Sequence, residues 1–202
     1  MTCRRTLLRA AAAGLAGLAL GARGQSRGRL PVVGFLSPQR RRVAVLWDAT
    51  TGRAQLAAAE GAARRLGVDL QVLEFGSGND LDRVLRGASG GKAQAMLLLS
   101  SPLVSVNSRP IAEFAAQHRL PAISPFRAFA DAGGLMSYGP DLVAFRRFAA
   151  TYVSRILKGA RPADLPIQQP SNFLFVVNQR AAAALGLSLP QSLLVSADEV
   201  IA

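Results

Sequence analysis

The sequence predicts an α/β protein, with a mostly parallel sheet flanked by helices. Half of its 202 residues are hydrophobic, which suits a real core and excludes a disordered chain. From residue 30 onward, short apolar runs alternate with helical stretches. Strands separated by helices of this length imply βαβ units and a sheet covered on both faces.

The elements follow in order. Residues 31–36 (PVVGFL) form a short buried strand ended by Ser37-Pro38, and Val43 to Trp47 form a second, bounded by Asp48. Arg53 to Leu66 is alanine-rich and helical, and Gly67 stops it. Leu70 to Phe75 is a strand, and the turn at 76–80 leads into a short helix through Arg86. Gly87 to Gly91 reads as a glycine-rich turn before the most apolar strand, Ala93 to Leu99. A loop, a helix near Pro110 to His118 and a short strand at 120–124 come next. After an extended piece at 133–139, Asp141 is a good N-cap for the longest helix, which Gly159 closes. Its residues Leu142, Phe145, Ala149, Tyr152 and Ile156 share one face at helical spacing. Three prolines mark 159–170 as an extended crossover, followed by a strand at 172–177 and a short helix capped by Asn178. The tail at 192–201 is open between strand and helix.

Residues 1–24 have the pattern of an export signal. Arg4, Arg5 and Arg9 precede an apolar run from Ala10 to Ala22, and Ala22 and Gly24 form a small-residue cleavage site before Gln25. Thirteen helical residues rise about 20 Å, short of a ~30 Å hydrocarbon core. The Arg4-Arg5 pair resembles a twin-arginine signal, although a Sec signal fits as well. Cleavage would remove four arginines and the only cysteine, Cys3, and lower the net charge from +12 to about +8.

Several chemistries are excluded. One cysteine and one histidine, His118, rule out a disulfide framework and leave no set of ligands for a cysteine-built or multi-histidine metal centre, so no metal or cofactor is expected. The basic residues are spread out and sparse aromatics are not interleaved with them, which argues against nucleic acid as a partner. Gly87-Ala-Ser89-Gly-Gly91 matches the hydrolase nucleophile pattern, but a helix precedes it and a strand follows, the reverse of what that chemistry needs. Gly76-Ser-Gly78 follows a strand as a dinucleotide fingerprint should, yet lacks the third glycine and the later acid that holds ribose.

Ligands of open α/β sheets bind beyond the carboxyl ends of the strands. That rule selects Asp48, Thr50 and Thr51 after one strand and Ser100 and Ser101 after another, with Trp47 and Tyr138 also near strand ends. Hydroxyls and a carboxylate suit a small polar ligand, and the aromatics would stack on it.

The C-terminal half carries a longer signal. Residues 133–141 (GGLMSYGPD), 149–153 (AATYV), 156–160 (ILKGA), 162–166 (PADLP), 184–187 (ALGL), 190–194 (PQSLL) and 197–201 (ADEVI) form a connected series. It resembles the ABC transporter substrate-binding proteins of the tryptophan/tyrosine type, exported receptors with a type I periplasmic-binding-protein fold. The resemblance spans about residues 31–202. It implies a non-catalytic, periplasmic solute receptor that serves an inner-membrane permease. The expected ligand is an amino acid or similar solute at Asp48, Thr50, Ser100, Ser101, Phe126 and Tyr138.

The chain also departs from that family. Residues 32–38 resemble the first strand of the first lobe, and 42–48 the first strand of the second. Only three residues separate them here, where the family has most of a lobe. The family's usual Asn-Pro after the second of these strands is Asp48-Ala49. The resemblance therefore implies a signal peptide at 1–24, a first-lobe remnant and junction at 25–41, and a ligand-binding lobe at 42–202 with helix 141–158 and crossover 159–170. A receptor with one lobe loses the surface that encloses its ligand. The stripe on helix 141–158 loses its cover, worth about 1.5–3 kcal/mol per large side chain. It must repack, self-associate or aggregate. Two alternatives remain: a non-catalytic module that dimerises through this helix, and a Rossmann-like nucleotide-dependent enzyme.

Overall fold

The computed structural model describes residues 41–202 except Gly91. The expected signal peptide, the strand at 31–36, the junction up to residue 40 and the last glycine of the Gly87–Gly91 run lie outside the described residues.

The chain begins with β1 (Arg41–Asp48), α1 (Ala54–Leu66) and β2 (Val68–Phe75). Gly67 ends α1 at φ 64°, a left-handed conformation open to glycine, and donates its N–H to the Ala63 carbonyl. A 3-10 turn at Gly78–Asp80 leads into α2 (Leu81–Gly90). The glycine-rich run expected as a turn is therefore helical through Gly90. Gly87 explains why: a Cβ there would sit 3.3 Å from Leu73 Cδ2, so glycine lets the helix lie close on the sheet.

β3 (Ala95–Leu98) follows, and the loop expected after it is helical instead. Ser101 accepts a hydrogen bond from the Val104 N–H, and Pro102 occupies the first position of α3 (Pro102–Val106). Then come α4 (Ser108–Gln117), β4 (Ala122–Ser124), α5 (Arg127–Asp131) and β5 (Met136–Pro140). The long helix is α6 (Leu142–Leu157), with Asp141 accepting hydrogen bonds from the N–H groups of Val143 and Ala144. The crossover contains a 3-10 turn at Pro162–Asp164. β6 (Phe173–Asn178) and α7 (Gln179–Ala184) follow, and the tail left open holds both element types, α8 (Gln191–Ser196) and β7 (Glu199–Ile201).

The seven strands form one sheet in the order β2-β1-β3-β4-β5-β6-β7. All neighbours are parallel except β5 and β6, so the α/β class with a mostly parallel sheet holds. In-register Val45, Leu97, Ile123, Met136 and Val177 share one face. On that face α1 packs Leu56 against Val45 and Trp47, and Ala182 of α7 packs with Met136 and Val177. On the other face, Leu46, Met96 and Leu98 meet Leu85 of α2, Val104 of α3, Ile111 of α4 and Phe129 of α5.

Helix α6 is different, because none of its residues is buried. Leu142, Val143, Phe145, Phe148, Val153, Ile156 and Leu157 are all exposed, and Ile167 in the crossover is fully so. The crossover touches the helix where the Tyr152 hydroxyl donates to the Pro166 carbonyl, 2.7 Å away.

Candidate functional site

The strand order places the site. β1 is followed in space by β2 on one side and β3 on the other, so the chain reverses its winding between β1 and β3. Helices leaving those two strand ends diverge to opposite faces and open a crevice, where ligands of such sheets bind. The turn after β1 carries Asp48 and Thr50; the turn after β3 carries Ser100 and Ser101.

Asp48 is 1 % exposed. Its Oδ1 accepts from the Thr50 N–H at 2.9 Å and from the Thr50 hydroxyl at 2.6 Å. The Thr51 hydroxyl closes the turn by donating to the Asp48 carbonyl at 2.7 Å. Burial pushes the Asp48 carboxyl up, but the Thr50 hydroxyl, the Thr50 N–H and the nearby Ser101 hydroxyl outweigh it and hold the group below the usual carboxylate range. The carboxylate is therefore ionised at neutral pH. Oδ2 is buried with no hydrogen bond of ordinary geometry among the described residues.

Across the crevice, Gln55 of α1 reaches the turn after β3. Its Nε2 donates to the Ser100 carbonyl at 3.0 Å, and its Oε1 accepts from the Ser100 N–H at 2.9 Å. Both backbone groups of Ser100 are thereby held, and the residue itself is exposed at the turn after β3. Ser101 is buried, its oxygen committed to the cap of α3. Trp47 lies beneath, with the Arg53 guanidinium 5.7 Å from its ring centre.

The structure thus brings four of the six expected residues to one crevice. Thr50 and Ser100 are exposed there, whereas Asp48 and Ser101 are buried and hold the two turns. Phe126 lies one strand further on, just after β4, half-buried against the core, with its N–H donating to Ser124 Oγ at 3.2 Å. Tyr138, within β5, stacks on Phe173 with ring centres 5.8 Å apart and meets Phe175 edge-on at 6.3 Å. No hydrogen bond or ring contact among the described residues joins Phe126 or Tyr138 to the crevice group. Gln55 was missed, because a glutamine in the first turn of a helix carries no signal until the adjacency of β1 and β3 is known.

Other features carry less chemistry. His118 is exposed and rests on Phe114, ring centres 4.1 Å apart. Among the described residues no three His, Cys, Asp or Glu side chains are grouped to hold a metal ion. At the Gly76–Gly78 turn the Ser77 hydroxyl donates to Asp80 Oδ2 at 2.9 Å, so an acid stands where a phosphate would need donors. An open groove of about 560 Å³ lies elsewhere, between α1 and the start of edge strand β2, lined by Glu60, Arg64, Asp69 and neighbours. It contains none of the six residues.

A β2-β1-β3-β4-β5 sheet whose winding reverses between β1 and β3 defines an α/β protein of the doubly wound class. The chain belongs to the ABC transporter substrate-binding protein family, whose model matches residues 30–201. Members of that family are typically periplasmic or extracellular. Three solved structures share the fold. A conserved domain protein from Vibrio cholerae O1 biovar El Tor is 21% identical, with a TM-score of 0.74 over 81% of this chain and 55% of that one. An ABC domain from Streptococcus pneumoniae, solved in complex with L-Trp, is 21% identical, with a TM-score of 0.72 over 80% of this chain and 55% of that one. The ligand-free, open structure of a substrate-binding protein with adhesive properties from Clostridium difficile is 16% identical, with a TM-score of 0.57 over 81% of this chain and 55% of that one. The chain therefore spans little more than half the length of each. No curated protein matches the sequence.

Proposed function

We propose that the chain is the solute-recognition component of an ABC importer, exported to the periplasm by the Sec or twin-arginine route, with most of one lobe missing. It acts with an inner-membrane permease and performs no chemistry of its own. The pneumococcal neighbour's L-Trp makes an amino acid or similar small solute the class to test. Thr50 and Ser100 offer hydroxyls to that solute, Asp48 and Ser101 fix the turns that present them, and Phe126 and Tyr138 supply flanking aromatic surface.

The uncovered face of α6 carries this reading. The helix leaves the sheet at the end of β5, on the edge that also bears the crevice, and apart from the Tyr152 contact with Pro166 its apolar stripe lies open, with no residue of the helix buried. Two-lobed receptors bury a ligand between both lobes by closing on a hinge. A single lobe offers one side of that enclosure and leaves water on the other, so affinity collapses.

Calorimetric titration of the full chain with each of the twenty amino acids, L-Trp among them, tests this. No saturable binding tighter than ~1 mM, equivalent to about −4 kcal/mol, is expected. Weak shifts in amide NMR signals should fall on Thr50 and Ser100. A micromolar Kd would overturn the loss of enclosure, and shifts confined to other residues would overturn the site.

A further inference from the structure

We infer that the apolar face of α6 is covered by α6 of a second copy of this chain, the two helices running antiparallel with Ala149 at the two-fold axis. The inference rests on the one-lobe reading, since a complete second lobe within the chain would cover this face. In an isologous pair, residue i meets residue j and j meets i. With Ala149 on the axis, Leu142 lies opposite Ile156 of the second copy, and Phe145 lies opposite Val153 beside Tyr152. Every large side chain of the stripe then has an apolar partner, and the small alanine stands where the two backbones approach most closely.

Charge selects this arrangement over a parallel one. At 100° per residue, Asp141 and Arg155 flank the stripe on the same side, near opposite ends of the helix. Antiparallel pairing brings Asp141 of each copy beside Arg155 of the other, giving two symmetrical ion pairs. Both groups are available. The two cap bonds of Asp141 fall on Oδ1, which leaves Oδ2 uncommitted, and Arg155 makes no ion pair among the described residues. The helix dipoles also oppose one another only in the antiparallel pair. A parallel pair would place Asp141 and Arg155 of the two copies on opposite sides of the seam, where neither ion pair can form. The fully exposed Ile167, next to the Pro166 carbonyl that Tyr152 holds, widens the surface at the side of the helix.

Sedimentation of the full chain should give twice the 21.2 kDa of one copy, and Phe145→Asp should return it to a single mass. Mild oxidation of Ala149→Cys in a Cys3→Ser background should cross-link the pair, while Ser154→Cys, on the far side of the helix, should not. A dimer that Ala149→Cys fails to cross-link overturns the antiparallel register. A monomeric wild type overturns the inference, and hydrogen exchange then separates two cases. Slow exchange over 142–157 means one chain covers its own helix, so the one-lobe reading falls too; fast exchange leaves that reading standing.

Discussion

The side-chain amide of Gln55 holds both backbone groups of Ser100, one hydrogen bond at 3.0 Å and the other at 2.9 Å. Residues 45 apart in the chain are joined across the β1/β3 crevice by a single side chain, so the turn after β3 is built partly by the helix after β1. Replacing Gln55 with Ala removes both bonds at an exposed position, where water takes their place. The expected loss is about 1 kcal/mol in urea denaturation. The more informative readout is local: amide exchange at Ser100 should accelerate while exchange in β6 stays unchanged.

Close backbone packing gives a sharper effect on the same edge. A Cβ on Gly139 would overlap the carbonyl oxygen of Pro125, a backbone atom that cannot swing aside. Gly139→Ala should therefore destabilise by about 3 kcal/mol or more, or prevent folding. Gly52→Ala, with open space around it, should leave the urea midpoint within about 0.5 kcal/mol of the parent.

Asn178 ties the end of β6 to two helices. Its Nδ2 donates to the Ala130 carbonyl of α5 at 3.0 Å, and its Oδ1 accepts from the Ala181 N–H at the start of α7 at 2.9 Å. The residue is buried, so Asn178→Ala leaves the Ala130 carbonyl without that donor as well as deleting a cap. A loss of about 2–3 kcal/mol is expected in denaturant unfolding. Asn178→Asp should keep the cap acceptor but turn a carboxylate oxygen toward the buried Ala130 carbonyl, and lose at least as much.

Acid sensitivity follows from two carboxylates. Arg127 of α5 grips Glu199 of β7 with its two terminal guanidinium nitrogens, Nη2 to Oε1 at 2.6 Å, and its Nε also reaches Asp131 at 3.3 Å. The hydrogen bond from Arg127 holds the Glu199 carboxyl below its ordinary 4.5, and Asp48 is likewise held below 3.8. A carboxyl with a lowered folded pKa binds its proton more readily in the unfolded chain. Its contribution is therefore present above the unfolded value and disappears as pH falls through the folded one. Stability should be flat from pH 7 to about pH 5 and decline below about 4.5. Glu199→Gln should flatten part of that decline, as thermal melts against pH would record.

Much of the fold was legible in the sequence because its signals are local. The apolar run of β1, the alanine-rich α1 ended by Gly67, and α6 between Asp141 and Gly159 each carry a start, a period or a stop within a few residues. Five-residue helices such as α3 and α5 are too short to show a period, and the three-residue β7 is defined by its pairing with β6. The glycine-rich run before β3 reads as a helix-to-strand turn from its place between those elements; that it stays helical and lies close to Leu73 is a tertiary feature no local pattern encodes. The crevice was legible to the extent that strand ends could be found, which placed Asp48, Thr50, Ser100 and Ser101 together. Which of them face outward depends on caps and turns: Ser101 turns inward to start α3, and Asp48 turns inward to close on Thr50.

The central proposal is that one α/β lobe presents an open crevice without a complete second lobe to shut on it. Small-angle scattering of the full chain, alone and with a mixture of the twenty amino acids at millimolar concentration, tests it most directly. The two profiles should superimpose. A contraction of the particle on adding the mixture would reveal a clamp closing and contradict the claim.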